Sequence, residues 1–199
     1  MKAIIFDFDG VIHDTFDFHR NKVNEFAGVE LSEQEFKDIH NGNFFQSVPE
    51  GIKNINWEEY RDHIYHEISN LEIKEEVRGA ILELGKNYEL YIVTSGGRKN
   101  IVDYLENNGI LSVFKEILGC ESHTSKIEKF KFIFEKNGIT PNECVFVTDT
   151  LGDILEANSV AMKTVAVDYG YHDQQTLAKG NPHTVISHLR ELQAAVKSM

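Results

Sequence analysis

Lys2-Ala3-Ile4-Ile5-Phe6-Asp7-Phe8-Asp9-Gly10 is the stretch whose reading decides the fold. A short apolar run ends in two carboxylates, two residues apart. On an extended strand residues i and i+2 point to the same side, so Asp7 and Asp9 share one neighbourhood. Carboxylates held that close repel unless a cation, a proton or a reacting group lies between them. The plainer alternative is an acidic corner where a strand meets a loop.

Three further runs end in polar residues in the same way: Leu90-Tyr91-Ile92-Val93, Cys144-Val145-Phe146-Val147 and Thr164-Val165-Ala166-Val167. Near-continuous apolar runs of this length predict strands buried on both faces. Helical stripes separate them. Val77, Ile81, Leu84 and Tyr88 form one, Ile101, Leu105 and Asn108 a second, and Ile127, Phe130 and Phe134 a third. Asn108-Gly109 and Asn137-Gly138 read as helix stops, and Pro141 marks the turn into the next strand. The alternation predicts an α/β fold: a doubly wound parallel sheet with crossover helices.

Residues 14–78 break this rhythm. They hold no strand candidate of comparable strength and are rich in helix formers and aromatics. Helices are expected near Thr15–Ala27, Ser32–Ile39 and Trp57–Ser69, with a loop around Asn41–Gln46. Ser32 and Glu35 form a capping-box pattern that marks one helix start. The expected organisation is a core of 1–13 and 79–199 carrying an all-helical cap, 14–78, inserted after the first strand.

The 199 residues suit a single core with an insertion, and 41% apolar content fits a packed globular chain. A formal net charge of −12 repels nucleic acid and anionic membranes, so neither is an expected partner. A local cationic pocket would still admit a small anion. Two cysteines, Cys120 and Cys144, without metal-type spacing point to free thiols in a reducing, cytoplasmic setting. The first apolar run meets Asp7 too early for a signal peptide or membrane span. A monomer and a homodimer are equally compatible with the chain.

In open α/β sheets ligands bind beyond the carboxyl ends of the strands, so what each strand delivers there is decisive. The first delivers Asp7 and Asp9. The second delivers Thr94-Ser95-Gly96-Gly97, where a hydroxyl and free N–H groups at a helix start suit phosphate, or where Thr or Ser simply caps the helix. Lys126 stands in the first turn of a helix, opposing its dipole unless an anion is near. A further strand delivers Thr148-Asp149-Thr150-Leu151-Gly152-Asp153. Acidic groups from two strand ends suit a hard cation such as Mg²⁺.

Taken together, and in this order, the four motifs resemble the haloacid dehalogenase superfamily of phosphohydrolases. That family has an acidic first motif, a Thr/Ser second, a Lys third and an acidic fourth. The resemblance covers most of the chain, with 14–78 similar to the family's helical cap. Asp168-Tyr169-Gly170-Tyr171-His172 and Ala178-Lys179-Gly180-Asn181-Pro182 look like its phosphoglycolate-phosphatase-like branch. Many members have Pro after the third-motif lysine, where this chain has Ile127, so Lys129 is a second candidate beside Lys126.

The resemblance implies a Mg²⁺-dependent phosphatase of a small phosphorylated metabolite. Asp7 would be the nucleophile that forms an aspartyl-phosphate. Mg²⁺ would sit on Asp7, the Asp9 carbonyl and Asp149, with Asp153 completing the cluster directly or through water. Thr94, Ser95, Gly96 and Lys126 would bind phosphate. Asp9 would move the proton, a role that calls for a raised pKa. Family dehalogenases lack this second aspartate, so Asp9 points to phosphate esters. Asp9-Gly10-Val11-Ile12, Asp14-Thr15 and His19 are similar to the beta-phosphoglucomutase branch, in which the matching His assists proton transfer. A phosphomutase is therefore the alternative, although the loop at Asn41-Gly42 lacks that branch's arginine. A non-enzymatic phospho-acceptor has no need of Asp9. Phe44 and Phe45 read as a pocket lid or a loop anchor, and His63 with His66 as a metal pair or a wet helix face.

Overall fold

Each apolar run becomes a strand because neither of its faces meets water. In the computed structural model, which describes residues 1–199, β1 spans Ala3–Phe6 and all four residues are fully buried. Their side chains alternate between two cores. Ile4 and Phe6 join a cluster on one face of the sheet, Ala3 and Ile5 a smaller one on the other.

Six parallel strands make the sheet, in the order β3-β2-β1-β4-β5-β6. They are β1, β2 (Glu89–Val93), β3 (Phe114–Leu118), β4 (Cys144–Thr148), β5 (Lys163–Val167) and β6 (Thr184–Ile186). Parallel pairing requires crossovers, supplied by α4 (Glu75–Leu84), α5 (Arg98–Asn107), α6 (Lys126–Asn137) and α7 (Leu151–Ser159), with α8 (Gln174–Ala178) and α9 (Leu192–Lys197) closing the chain. The expected doubly wound fold is the one observed. β3 and β6, both at sheet edges, are additions to the four strands expected.

The register aligns the functional strand ends. Phe6 pairs with Ile92 on one side and Val147 on the other. Asp7 continues the ladder, its N–H donating to Val147 O at 2.9 Å. Asp7, Thr94 and Asp149 thus emerge from three neighbouring strands, at the point where the strand order reverses beside β1.

Between β1 and β2 the chain is entirely helical: α1 (Phe16–Ala27), α2 (Glu33–Asp38), α3 (Trp57–Ser69) and short 3-10 turns precede α4. The Ser32–Glu35 capping box is present. Position 78 falls inside α4, so no chain break separates the expected cap from the core there. Val23, Phe36 and Ile64 of this segment belong to the same apolar cluster as Ile4 and Phe6. Contacts also tie it down at its far end. Asn43 Nδ2 donates to Thr124 O and Glu156 Oε1, each at 3.2 Å, and Gly42 packs on Gly152 of α7.

One stripe is phased differently from expectation. The inward face of α6 is Lys126, Lys129, Phe130 and Ile133, while Ile127 and Phe134 are only half-buried. The two lysines displace an apolar phase because each has a buried acceptor.

Candidate active site

Asp7 is 6% exposed and both of its oxygens are engaged. Oδ1 accepts from Phe8 N at 2.8 Å, and Oδ2 accepts from Lys126 Nζ at 2.7 Å. Lys126 is the first residue of α6, and its ammonium also donates to Asp153 Oδ2 at 2.6 Å. Thr148 Oγ1 donates to the same Asp153 oxygen at 2.7 Å. A lysine in a first turn opposes the helix dipole, and acidic neighbours offset that here. Glu156 adds to them, its Oε1 accepting from Lys126 N and Ser125 Oγ.

Lys129, one turn on, does not take this place. Its Nζ donates to the main-chain carbonyl of Thr94 at 2.6 Å, beneath the second-motif loop. Burial, and then the neighbouring Lys126, pull its pKa down to about 8. Burial alone would lower Lys126 as well, but Asp153 and Asp7 outweigh it and hold that ammonium above the usual lysine range. Burial and the neighbouring Asp153 push Asp7 well above the ordinary carboxylate value, against the pull of Lys126.

Asp9 lies just past β1, and its Oδ1 accepts from Thr15 Oγ1 at 2.7 Å and from His19 Nε2–H at 3.0 Å. His19 Nδ1 in turn lies 2.9 Å from the hydroxyl of Tyr60 on α3. Burial would raise the Asp9 pKa, yet His19 and Thr15 outweigh it and the net shift is downward. The raised value expected for a proton donor is absent. Thr15 stands at the N-cap position of α1 but makes no capping bond, its hydroxyl being committed to Asp9.

Asp149 is fully buried, wedged against two glycines. A β-carbon on Gly10, whose φ is +71°, would come within 1.9 Å of Asp149 Oδ2. That oxygen accepts from Tyr171 N at 2.7 Å; Oδ1 has no partner. Burial pushes the Asp149 pKa up to about 8. An orphaned buried carboxylate oxygen beside Asp7 and Asp153, with Lys126 as their single ammonium, suits a hard divalent cation. No group of three or more His, Cys, Asp or Glu side chains converges into an all-protein cage. Magnesium does not need one, because it keeps waters and takes only one or two carboxylates with substrate oxygens.

These groups open on a cavity of about 110 Å³. Asp7, Asp9, Asp149, Asp153, Lys126, His19, Ser95 and Gly96 all line it. Thr94 and Thr15 do not; both are fully buried behind the wall. Thr94 Oγ1 accepts from Gly96 N at 2.9 Å, so it shapes the loop and leaves Ser95 and Gly96 facing the cavity. The helical segment supplies the rest of the wall. Phe44 and Phe45 line it, and Phe44 is also anchored edge-on against Trp57. His63 packs against Phe26 and His66 against Tyr65, each on its own neighbour.

Tyr60, Arg61 and Tyr171 also line the cavity, and none of the four motifs points to them. Tyr60 is buried, and its hydroxyl faces His19. A basic residue on the stripe Trp57–Arg61–Ile64 is the signal that could have found Arg61.

The match to the model of haloacid dehalogenase-like hydrolases runs over residues 4–167, from β1 through the last residue of β5. The chain belongs to the haloacid dehalogenase-like hydrolase family. Among its curated relatives is a phosphoglycolate phosphatase of Vibrio vulnificus (strain CMCP6), 30% identical over 108 residues, covering 53% of this chain. The chain spans about half the length of that relative, 47%. The phosphoglycolate phosphatase of Synechococcus elongatus is 23% identical over 210 residues, covering 100% of this chain and 99% of its own. A predicted phosphatase from Clostridium acetobutylicum shares the fold at a TM-score of 0.84 with 15% identity, covering 100% of this chain and 99% of that one. No helix of the chain is long and apolar enough to cross a membrane.

Proposed function

We propose that this hydrolase is a magnesium-dependent phosphatase of a small phosphorylated metabolite, acting through an aspartyl-phosphate on Asp7. The observation that carries the reading is the buried Lys126 ammonium, which joins Asp7 to Asp153 at the mouth of a cavity closed by the helical segment.

An anionic nucleophile approaching a phosphate dianion is the central difficulty. Each pair of unit charges at about 4 Å costs roughly 4 kcal/mol at an effective dielectric near 20. Lys126 offsets part of this from within hydrogen-bond reach of Asp7. Asp7, the Asp9 carbonyl and Asp149 would hold magnesium, with Asp153 nearby, and the bound ion supplies the remaining positive charge. The Ser95 hydroxyl and the N–H groups of Ser95 and Gly97, which flank the Gly96 N–H held by Thr94, receive phosphate oxygens, and Lys129 keeps that loop in place through the Thr94 carbonyl. Asp9, hydrogen-bonded to His19, gives a proton to the departing alkoxide and takes one from the water that follows. The relatives' named activity makes phosphoglycolate the first substrate to test.

The contact of Thr15 and His19 with Asp9 favours a second reading, a phosphomutase that returns the phosphoryl group to a sugar. A release assay over phosphoglycolate, sugar phosphates, nucleotides and pyrophosphate, with magnesium, separates the two. Free phosphate is the expected product. Isomer formation dependent on a bisphosphate activator selects the mutase, and silence on every substrate overturns the phosphatase.

A further inference from the structure

Trp57, Arg61, Ile64 and Ile68 follow one another on α3 at helical spacing, and all four line the cavity. Three of them are apolar. Arg61, half-buried among these apolar side chains, is the only charged one of the four, and its guanidinium has no protein partner. Its side chain makes neither a hydrogen bond nor an ion pair; outside the helix's own ladder, its main-chain carbonyl accepts from Asn100 Nδ2 of α5 at 3.2 Å. That bond docks α3 against the core.

The side chain of Arg61 runs over the second-motif loop. A β-carbon on Gly97 would lie 2.8 Å from Arg61 Cδ and 3.3 Å from Glu121 Oε1. Glu121, beside the same glycine, accepts from Arg98 N through both oxygens, at 3.2 and 3.0 Å, and does not pair with Arg61. The other basic groups in the wall are occupied. Lys126 is held by Asp7 and Asp153, His19 by Asp9 and Tyr60, and His40 donates to Phe36 O.

We propose that Arg61 determines specificity by receiving a second anionic group, a carboxylate carried on a short carbon chain by the alcohol part of the phosphate ester. This rests on the phosphatase reading and names its substrate class. A guanidinium fork matches a carboxylate in two parallel hydrogen bonds, which fixes the orientation of a substrate otherwise surrounded by aromatic rings. Arg61 Cδ passes beside Gly97, next to the Ser95-Gly96 segment that lines the cavity, so a carboxylate on a short chain could reach the guanidinium from there.

The test compares kcat/KM for phosphoglycolate, for hydroxyethyl phosphate, whose alcohol part is neutral, and for ethylene glycol bisphosphate, in the unaltered chain, Arg61→Met and Arg61→Lys. The ratio of the carboxylated to the uncharged ester should fall by about 30-fold in Arg61→Met, chiefly through KM, as expected for losing a charge-assisted bond. Arg61→Lys should restore part of it. Equal losses on both esters place Arg61 on the transferred phosphate and overturn the proposal, and so does a preference for the bisphosphate. Calorimetric binding of phosphonoacetate against ethylphosphonate asks the same question without turnover. If no ester releases phosphate but Arg61→Met selectively weakens phosphonoacetate, the phosphatase reading fails and the carboxylate site stands. If phosphate is released and neither ratio depends on Arg61, only the carboxylate site fails.

Discussion

His19 Nε2 lies 3.0 Å from Asp9 Oδ1, joining the first helix of the insertion to the loop that leaves β1. The contact ties Asp9, the proposed proton-transfer group, to an element that lines the cavity. Removing either partner should slow esters with poor leaving groups most. Asp9→Asn should lower kcat on alkyl phosphates by about 100-fold or more, and His19→Gln by a smaller factor. Activated aryl phosphates, which need less help from an acid, should lose much less. Equal losses across a leaving-group series would refute the acid role.

Lys126 is the single ammonium shared by two buried carboxyl groups, so its loss should be felt in folding as well as in catalysis. Lys126→Met leaves Asp7 and Asp153 without their counter-charge, a change that costs roughly 3–5 kcal/mol in buried pairs. Urea unfolding should show a clear drop in midpoint with little change in slope. A midpoint unaffected by the substitution would mean that the pair is not buried as described.

Burial holds Asp149 at about 8 and Asp7 well above the ordinary range, whereas both would ionise near 4 in an unfolded chain. Between those values these two groups bind more protons in the folded protein, so their contribution to metal-free stability is lost as pH rises toward about 8. His13, His40 and His172, which burial holds below the usual imidazole value, act in the opposite sense below about pH 6.5. A cation that prefers the ionised carboxylates should reverse this. Magnesium is expected to raise Tm more at about pH 8 than at about pH 5, and Asp149→Asn should flatten both trends. A pH-independent Tm with no metal-induced shift would contradict the cation site.

Gly152, in the first turn of α7, touches the insertion directly. A β-carbon there would come within 2.2 Å of Gly42 O, a backbone atom that cannot swing aside. Ala is the better helix former by about 1 kcal/mol, so a neutral or stabilised Gly152→Ala would show that the contact is loose. The expected result is lower stability together with a higher KM, read by thermal melts and steady-state kinetics.

Central strands were legible because burial on both faces leaves an uninterrupted apolar run. β3 was not, since Phe-Lys-Glu-Ile-Leu at the sheet edge exposes Lys115 and half-exposes Glu116. β6, three residues at the other edge, is too short to carry a pattern. Asp7, Asp9 and Asp149 followed from where the runs stop. The inward turn of Lys126 and Lys129 did not follow from periodicity, because their acceptors, Asp7, Asp153 and the Thr94 carbonyl, lie far away in sequence. For the same reason the sign of the Asp9 shift was misjudged. Burial and nearby anions argued for a raised value, whereas two hydrogen bonds from α1 and its N-cap lower it. Arg61 belonged to a helix whose limits were clear, but which of its faces met the cavity depended on how α3 docks on α5.

Trapping the covalent intermediate tests the central claim most directly. Chain quenched during turnover with phosphoglycolate and magnesium, then reduced with borohydride, should carry homoserine at position 7, and Asp7→Asn should release no phosphate. Steady phosphate release without modification at position 7, or activity that persists in Asp7→Asn, would contradict nucleophilic attack by Asp7.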